Sequence, residues 1–203
     1  MQTKKTLVDW FELRRKLFHI ALGIVLITLI YLSILSWISA GIILMIGVII
    51  SLVAKNITIP IITPLLDWFE RPHHREFIPG RGVITIFLAV TLLLLFFEKN
   101  IILASLAIWT LGDSISALVG MHYGRIRHPF NSHRLLEGTI AGIICGTLGA
   151  MLFVPWYDAL GAAIIAMLFE SADITFFGHD IDDNFLVPIV SAIVITIIGL
   201  IGV

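Results

Sequence analysis

The sequence predicts an all-α, multi-pass transmembrane helical bundle of about seven spans with a cytoplasmic N-terminus. Two observations give the class and a third gives the orientation. Of 203 residues, 59% are hydrophobic and 13% charged, and the mean hydropathy is +1.04. A soluble domain is about 45–50% apolar and about 25% charged. The apolar residues are gathered into runs of about 15–20, near the length of helix that crosses a bilayer. With the N-terminus placed inside, twelve of the thirteen Lys and Arg residues fall on that side and only Lys99 falls outside. Cytoplasmic loops carry such an excess of cations. The length allows one integral membrane domain over 1–203.

The elements follow in order. Residues 1–19 read as a basic interfacial lead-in, with Val8, Phe11 and Arg15 at helical spacing and Trp10 at headgroup level. Span one is expected from Ile20 to Ser36, and span two from Ile38 to Ala54. Ile57 to Leu66 is apolar but short and broken by Pro60 and Pro64, so it reads as re-entrant or interfacial. A polar loop runs from Asp67 to Gly82. Span three is Val83 to Phe97, and span four is Ile101 to Met121. A basic loop with Arg125, Arg127, His128, His133 and Arg134 leads to span five, Gly138 to Val154. Span six is Ala159 to Ile174. The acidic loop GHDIDDN precedes span seven, Phe185 to Val203.

All seven histidines fall on the inner side, as do all acids except Glu98 and Asp158. The chemistry is therefore expected at the cytoplasmic face. Cys145 is the only cysteine and excludes an internal disulfide. No cleavable signal is expected in the first twenty residues. There is no Walker loop, GxGxxG, HExxH or CxxC. The adjacent His73 and His74 lack zinc-pair spacing. No nucleic-acid partner is expected, and a homodimer is left open.

The candidate site centres on Leu111 to Gly138. Asp113 lies inside span four, where a carboxylate costs about 2.5–3.5 kcal/mol on insertion scales and needs a partner or a task. It reads either as a metal or phosphate-site acid or as half of a structural pair with an arginine from another helix. Gly120 and Gly124 lie near its face, allowing close approach. Glu137 heads the next helix, where the dipole alone favours an acid. Gly138, Gly142 and Gly146 read as helix packing. Glu170, Asp173, Asp180, Asp182 and Asp183, with Asn184, contain no Lys or Arg and suit Mg²⁺. Arg125 and Arg134 suit phosphates. Arg15 and Lys16 at the start of span one read either as topology signals or as phosphate contacts. Pro79-Gly80-Arg81-Gly82 is a bend whose N–H groups could touch phosphate.

Taken together, the ordered motifs resemble a family. RRKLFH at 14–19, PGRGVITIF at 79–87, GDSISALVGMHYGR at 112–125, EGTIAG at 137–142 and ESADITFFGHDIDDNFLVP at 170–188 resemble, in the same order, segments of the membrane polyprenol and lipid kinases: dolichol kinase, phytol kinase and CTP-dependent diacylglycerol kinase. The family usually has Lys-Ser before x-Glu-Gly, whereas this chain has Arg134 and Leu135 there. The cation is kept and the hydroxyl is lost.

The resemblance implies transfer of the γ-phosphoryl group of a nucleoside triphosphate, CTP before ATP, to the hydroxyl of an isoprenoid or related lipid alcohol, with Mg²⁺ as cofactor and membrane lipids around it. On that reading Asp113, Glu137, Glu170 and Asp173 are the catalytic candidates. Asp113, Asp183 and Asn184 are the metal ligands. Arg15, Lys16, Arg81, Arg125, Arg134, Gly120 and Gly124 line the nucleotide phosphates. Two other readings stand beside it. One is a cytidylyltransferase making a CDP-lipid, which shares a similar GD and EG layout. The other is an ion-coupled transporter, disfavoured because the outer halves of the spans lack ionisable residues.

Overall fold

The computed structural model describes residues 10–70, 78–129, 131–172, 175–176 and 179–201. Its helices are α1 (Trp10–Tyr31), α2 (Trp37–Ala54), α3 (Ile62–Phe69), α4 (Arg81–Phe96), α5 (Lys99–Ala107), a π-helical segment (Ile108–Asp113), α6 (Ser114–Tyr123), α7 (Leu136–Ala150), α8 (Trp156–Ser171) and α9 (Asp183–Ile201). Two small antiparallel hairpins, β1 (Arg127–His128) with β2 (Asn131–Leu135) and β3 (Thr175–Phe176) with β4 (His179–Asp180), interrupt the helices.

Three helical stretches are long and apolar enough to cross a membrane: α2, the continuous run Lys99–Tyr123, and α9. α4 and α7 are apolar but shorter. The described part of each of the seven apolar runs is mainly helical, and these three combine crossing length with a sufficiently apolar composition; α1, at 22 residues, has the length but carries charge in its first half. Their apolar character is matched by what they pack against. The Lys99–Tyr123 window is 72% buried inside the protein, whereas that of α2 is 11% buried. α2 is thus a peripheral helix, and the α5–α6 run is the central one.

Three local differences from the expected layout matter for the site. First, α1 is already helical at Trp10 and runs unbroken to Tyr31, so residues 10–19 form its first half rather than a separate interfacial piece. One stripe of it, Lys16, His19, Gly23, Leu26 and Ile30, is buried at helical spacing. Gly23 is where α1 meets the central run: a Cβ there would lie 2.1 Å from Thr110 Oγ1. Second, the central run is not a uniform α-helix. It widens to a π-helix over Ile108–Asp113, a distortion that recurs at functional sites. Third, the basic loop is a hairpin, with Arg127 opposite Leu135 and His128 opposite Asn131. β2 runs directly into α7, so Arg134 is held by a strand rather than by a free loop.

α6 and α7 cross closely at glycines. A Cβ on Gly138 would stand 2.4 Å from the Ser116 carbonyl oxygen, and one on Gly142 would stand 2.8 Å from that of Gly112. This supports the packing reading of these glycines. α8 packs on α7 and α9, and its Ala162, Ala163, Ala166 and Met167 join Trp109, Leu106 and Ile108 in the core.

Candidate active site

Asp113 closes the π-helical segment and is 3% exposed. Its partner is Lys16, not an arginine. Lys16 Nζ donates to both carboxylate oxygens at 2.7 Å and to the Asp113 carbonyl at 3.3 Å. His19 Nδ1 lies 3.5 Å from the same carboxylate. Lys16 and His19 are one turn apart on the buried stripe of α1, so a single helix face delivers both to one acid.

Arg134 reaches in from β2 and bridges two more acids. One guanidinium nitrogen contacts Glu170, and the other donates to Asp183 at 2.8 Å. Two separate donors of a planar fork suit such a bridge, which a lysine point charge does not reproduce. Glu170, near the end of α8, is fully buried, and its Oε2 has no hydrogen-bond partner. Asp113, Glu170 and Asp183 each present a ligand atom, and these atoms lie within 4.8 Å of one another. Three carboxylates therefore converge, while Lys16 and Arg134 bring two cations. A deficit of one positive charge and an orphaned buried oxygen fit a divalent cation with hard oxygen ligands.

A second layer orients this cluster. The Trp109 ring packs on the His19 ring with centroids 4.0 Å apart, and the Trp109 carbonyl lies 3.2 Å from His19 Nε2. Trp109 Nε1 donates to Asn184 Oδ1 at 3.1 Å. An indole N–H can only donate, so the amide oxygen of Asn184 must face it. Asn184, expected as a metal ligand, accepts the Trp109 N–H on its amide oxygen, which leaves that oxygen one further lone pair. Trp109 itself escaped the sequence reading. The one signal for it was a tryptophan four residues before Asp113, since a buried indole N–H needs a partner.

At the rim, Arg81 Nε lies 3.2 Å from Asp182 Oδ2, and Thr85 donates to Asp182 Oδ1 at 3.1 Å. The N–H groups of Gly80 and Arg81, in a bend read as a turn before a phosphate contact, donate to Glu70 at 2.8 and 3.0 Å. Burial pushes the Glu70 carboxyl above its usual range, and these two N–H groups oppose the shift. Gly80 adopts φ 77°, the left-handed region that suits glycine.

These residues surround a cavity of about 1060 Å³. Lys16, Asp113, Arg134 and Asp183 line its polar end, with Arg15, Arg81, Gly120 and Asn184 also on its walls. Arg15 is engaged by Glu12 at 2.7 Å. Glu170 sits behind Arg134 and is not part of the lining. The structure does not bring Arg125, Gly124 or Glu137 to this cavity. The Glu137 carboxylate accepts the backbone N–H groups of Arg125 and Ile126 at 2.9 and 3.1 Å, which ties the start of the hairpin to the start of α7. Gly124 ends α6, where a Cβ would stand 2.3 Å from Leu135 Cδ1. Asp173 lies outside the described residues.

The chain is 28% identical over 129 residues to a probable chloroplastic phytol kinase 1 of Glycine max, covering 56% of this chain and 42% of that protein. It is 29% identical over 134 residues to a probable chloroplastic phytol kinase of Zea mays, covering 59% and 43%. It is 25% identical over 138 residues to CTP-dependent diacylglycerol kinase 1 of Eremothecium gossypii, covering 55% and 42%. Its curated relatives are lipid kinases. The family resemblance carried by the motifs is the one these relatives show. The matched part of the chain spans under half the length of each of them. No family model matches the chain, and no solved structure matches it.

Proposed function

We propose that this protein is a membrane lipid kinase that transfers the γ-phosphoryl group of a nucleoside triphosphate, CTP before ATP, to the hydroxyl of an isoprenoid or related lipid alcohol. The observation that carries the reading is the convergence of Asp113, Glu170 and Asp183, with ligand atoms within 4.8 Å of one another, two of which, Asp113 and Asp183, lie on the wall of a cavity lined by both charged and apolar side chains. A nucleotide and a lipid together need a space with both kinds of wall.

Asp113, Glu170 and Asp183 would hold Mg²⁺, which when bound supplies charge neutralisation on the phosphate oxygens. Lys16 and Arg134, now engaged by these acids, neutralise the negative charge of the triphosphate. Phosphoryl transfer needs positioning and electrostatics more than covalent chemistry. Arg81, at the rim with Asp182, extends the cationic wall. His19 and Trp109 hold Asp113 and Asn184 in place. Asp183 lines the cavity whereas Glu170 does not, so Asp183 is assigned to orient the acceptor hydroxyl. The acceptor O–P bond forms as the bond between the γ-phosphorus and its bridging oxygen breaks. The hydroxyl proton passes to the Asp183 carboxylate, and the nucleoside diphosphate leaves. The Lys/Arg distribution supports a cytoplasmic position for this part of the cavity.

The test is a pair of reactions in detergent–lipid micelles with γ-labelled CTP or γ-labelled ATP and a lipid-alcohol mixture. The label is expected in the lipid phase, more from CTP. Label released as pyrophosphate would make the protein a cytidylyltransferase instead. Label left in intact triphosphate under all conditions would overturn the enzymatic reading.

A further inference from the structure

The phosphate chemistry uses only half of the cavity. α1 and α2 are consecutive helices joined across residues 32–36, and such neighbours usually pack together. Here α2 packs along α4 and, among the described residues, leaves a gap towards α1. The apolar half of the cavity lies in that gap, with Phe18 and Leu22 on α1, Gly47 and Ile50 on α2, and Ile84 on α4. α3 closes one end, where Phe18 and Phe69 stack with ring centroids 4.7 Å apart.

The gap joins directly to the acids. Lys16 and His19, which hold Asp113, come from the same helix as Phe18 and Leu22. Leu22 lies six residues beyond Lys16, about 9 Å along the helix or about seven methylenes of extended chain. A tail entering from the bilayer side along Leu22 would bring its head to Lys16 and Asp113. Gly47 stands on the facing wall. A Cβ there would meet one atom within 4 Å, Ile84 Cγ1 at 3.8 Å, an ordinary contact. The backbone does not require glycine at this place; a Cβ fits beside Ile84, and a longer side chain would reach into the space that Gly47 leaves on the cavity wall.

We infer that the crevice between α1 and α2 holds the hydrocarbon tail of the alcohol acceptor, and that the missing side chain at Gly47 sets which tails it admits. The inference rests on the lipid-kinase reading for its head-group end. It adds the path of the tail and a residue that determines specificity without touching the reacting atoms.

The experiment uses the full chain in detergent–lipid micelles, with Gly47→Ala, Gly47→Leu and wild type. The acceptors are a twenty-carbon isoprenoid alcohol and a six-carbon alcohol too short to reach Gly47. Gly47→Leu is expected to lower kcat/KM for the long alcohol about tenfold or more, the scale of a changed hydrophobic contact, and to leave the short one unchanged. Gly47→Ala is expected to stay within about twofold of wild type, since its Cβ makes only an ordinary contact. In parallel, a long-chain alcohol with a diazirine near its seventh carbon is photolysed on each protein. Wild type is expected to label residues 47–54, and Gly47→Leu to lose that label. An equal loss on both acceptors, or labelling of wild type confined to other helices, would overturn the crevice assignment while leaving the kinase reading intact. Labelling at α2 without phosphoryl transfer to any alcohol would instead sink the kinase reading and keep the crevice as a lipid-tail site.

Discussion

Lys16 Nζ stands 2.7 Å from both carboxylate oxygens of Asp113, and the pair is 97 residues apart in sequence and almost wholly buried. Such a pair gains little over an apolar replacement, but breaking it is costly. Removing one partner from a buried pair costs about 3–5 kcal/mol because the other charge is left uncompensated. Lys16→Met is therefore expected to lower the melting temperature in detergent and to abolish activity. The double variant Lys16→Met/Asp113→Asn should recover most of the stability and none of the activity. A single variant that melts like wild type would show that Asp113 does not depend on Lys16.

The three acids should separate by their metal dependence. Asp113→Asn keeps the volume but leaves the buried Lys16 without its counter-charge, so a lower melting temperature is expected, and activity is lost even where the protein remains folded, since a hard cation needs charged oxygen ligands. Asp183→Asn should lose turnover at any Mg²⁺ concentration, because it gives up the acceptor of the hydroxyl proton as well as an oxygen of the cluster, whereas Glu170→Gln should need more Mg²⁺ for half-maximal turnover, because it gives up an oxygen of the cluster alone. The check is a Mg²⁺ titration of all three in the same micelles. Turnover like wild type in Asp113→Asn removes the metal assignment. A normal Mg²⁺ requirement in Glu170→Gln moves Glu170 out of the ligand set.

Arg134 is held by two acids through two different nitrogens. Arg134→Ala should raise the nucleotide KM by more than tenfold with a smaller effect on the lipid KM, the scale of a lost charge-assisted contact. Arg134→Lys can satisfy one acid at a time and should stay well below wild type despite its charge. Full activity in Arg134→Lys would mean that charge alone matters at this position.

The side of the membrane is open to direct measurement. In a Cys145→Ala background, cysteines at Ser132 and Asp180 should react only with a reagent on the cytoplasmic side, and one at Asn100 only from outside. The reason is the twelve-to-one partition of Lys and Arg. Labelling of Ser132 and Asp180 from opposite sides would separate the basic hairpin from the acidic segment that Arg134 bridges.

What could be read in advance follows a physical pattern. Asp113, Glu170, Asp183 and Arg134 stood out because charge in or beside an apolar run is conspicuous at the level of sequence. Their roles were less legible than their presence. Lys16 read as a topology signal or a phosphate contact, and not as the partner of Asp113, because that partner is 97 residues away. The hydrogen bond from the Trp109 indole to Asn184 was not legible either, because the two residues are 75 apart in sequence. The π-helical turn that carries Asp113 depends on packing around Ile108 and Gly112, which periodicity does not report. Glu137 and the Gly80–Arg81 N–H groups drew attention as polar features, and their hydrogen bonds go to neighbouring backbone and to Glu70. The order of apolar segments was legible in composition.

The close crossing of α6 and α7 leads to a prediction with its own control. An added Cβ at Gly138 would stand 2.4 Å from the Ser116 carbonyl oxygen and 3.1 Å from Gly120 Cα, both backbone atoms. Neither can swing aside, so the two helices must part. At Gly199 a Cβ would meet nothing within 4 Å. Gly138→Ala is expected to destabilise by about 1–3 kcal/mol, the usual range for overpacking, and Gly199→Ala to be neutral within error. The loss at Gly138 should reach the site as well. β2 runs straight into α7, so moving α7 away from α6 moves Arg134 relative to Asp183 and Glu170. The nucleotide KM of Gly138→Ala should therefore rise even at temperatures where the protein remains folded. Thermal melts and initial rates on the two alanine variants check both parts. A melt and a KM for Gly138→Ala indistinguishable from those of Gly199→Ala would show that the helices can separate without cost and that the hairpin is positioned by something other than this crossing.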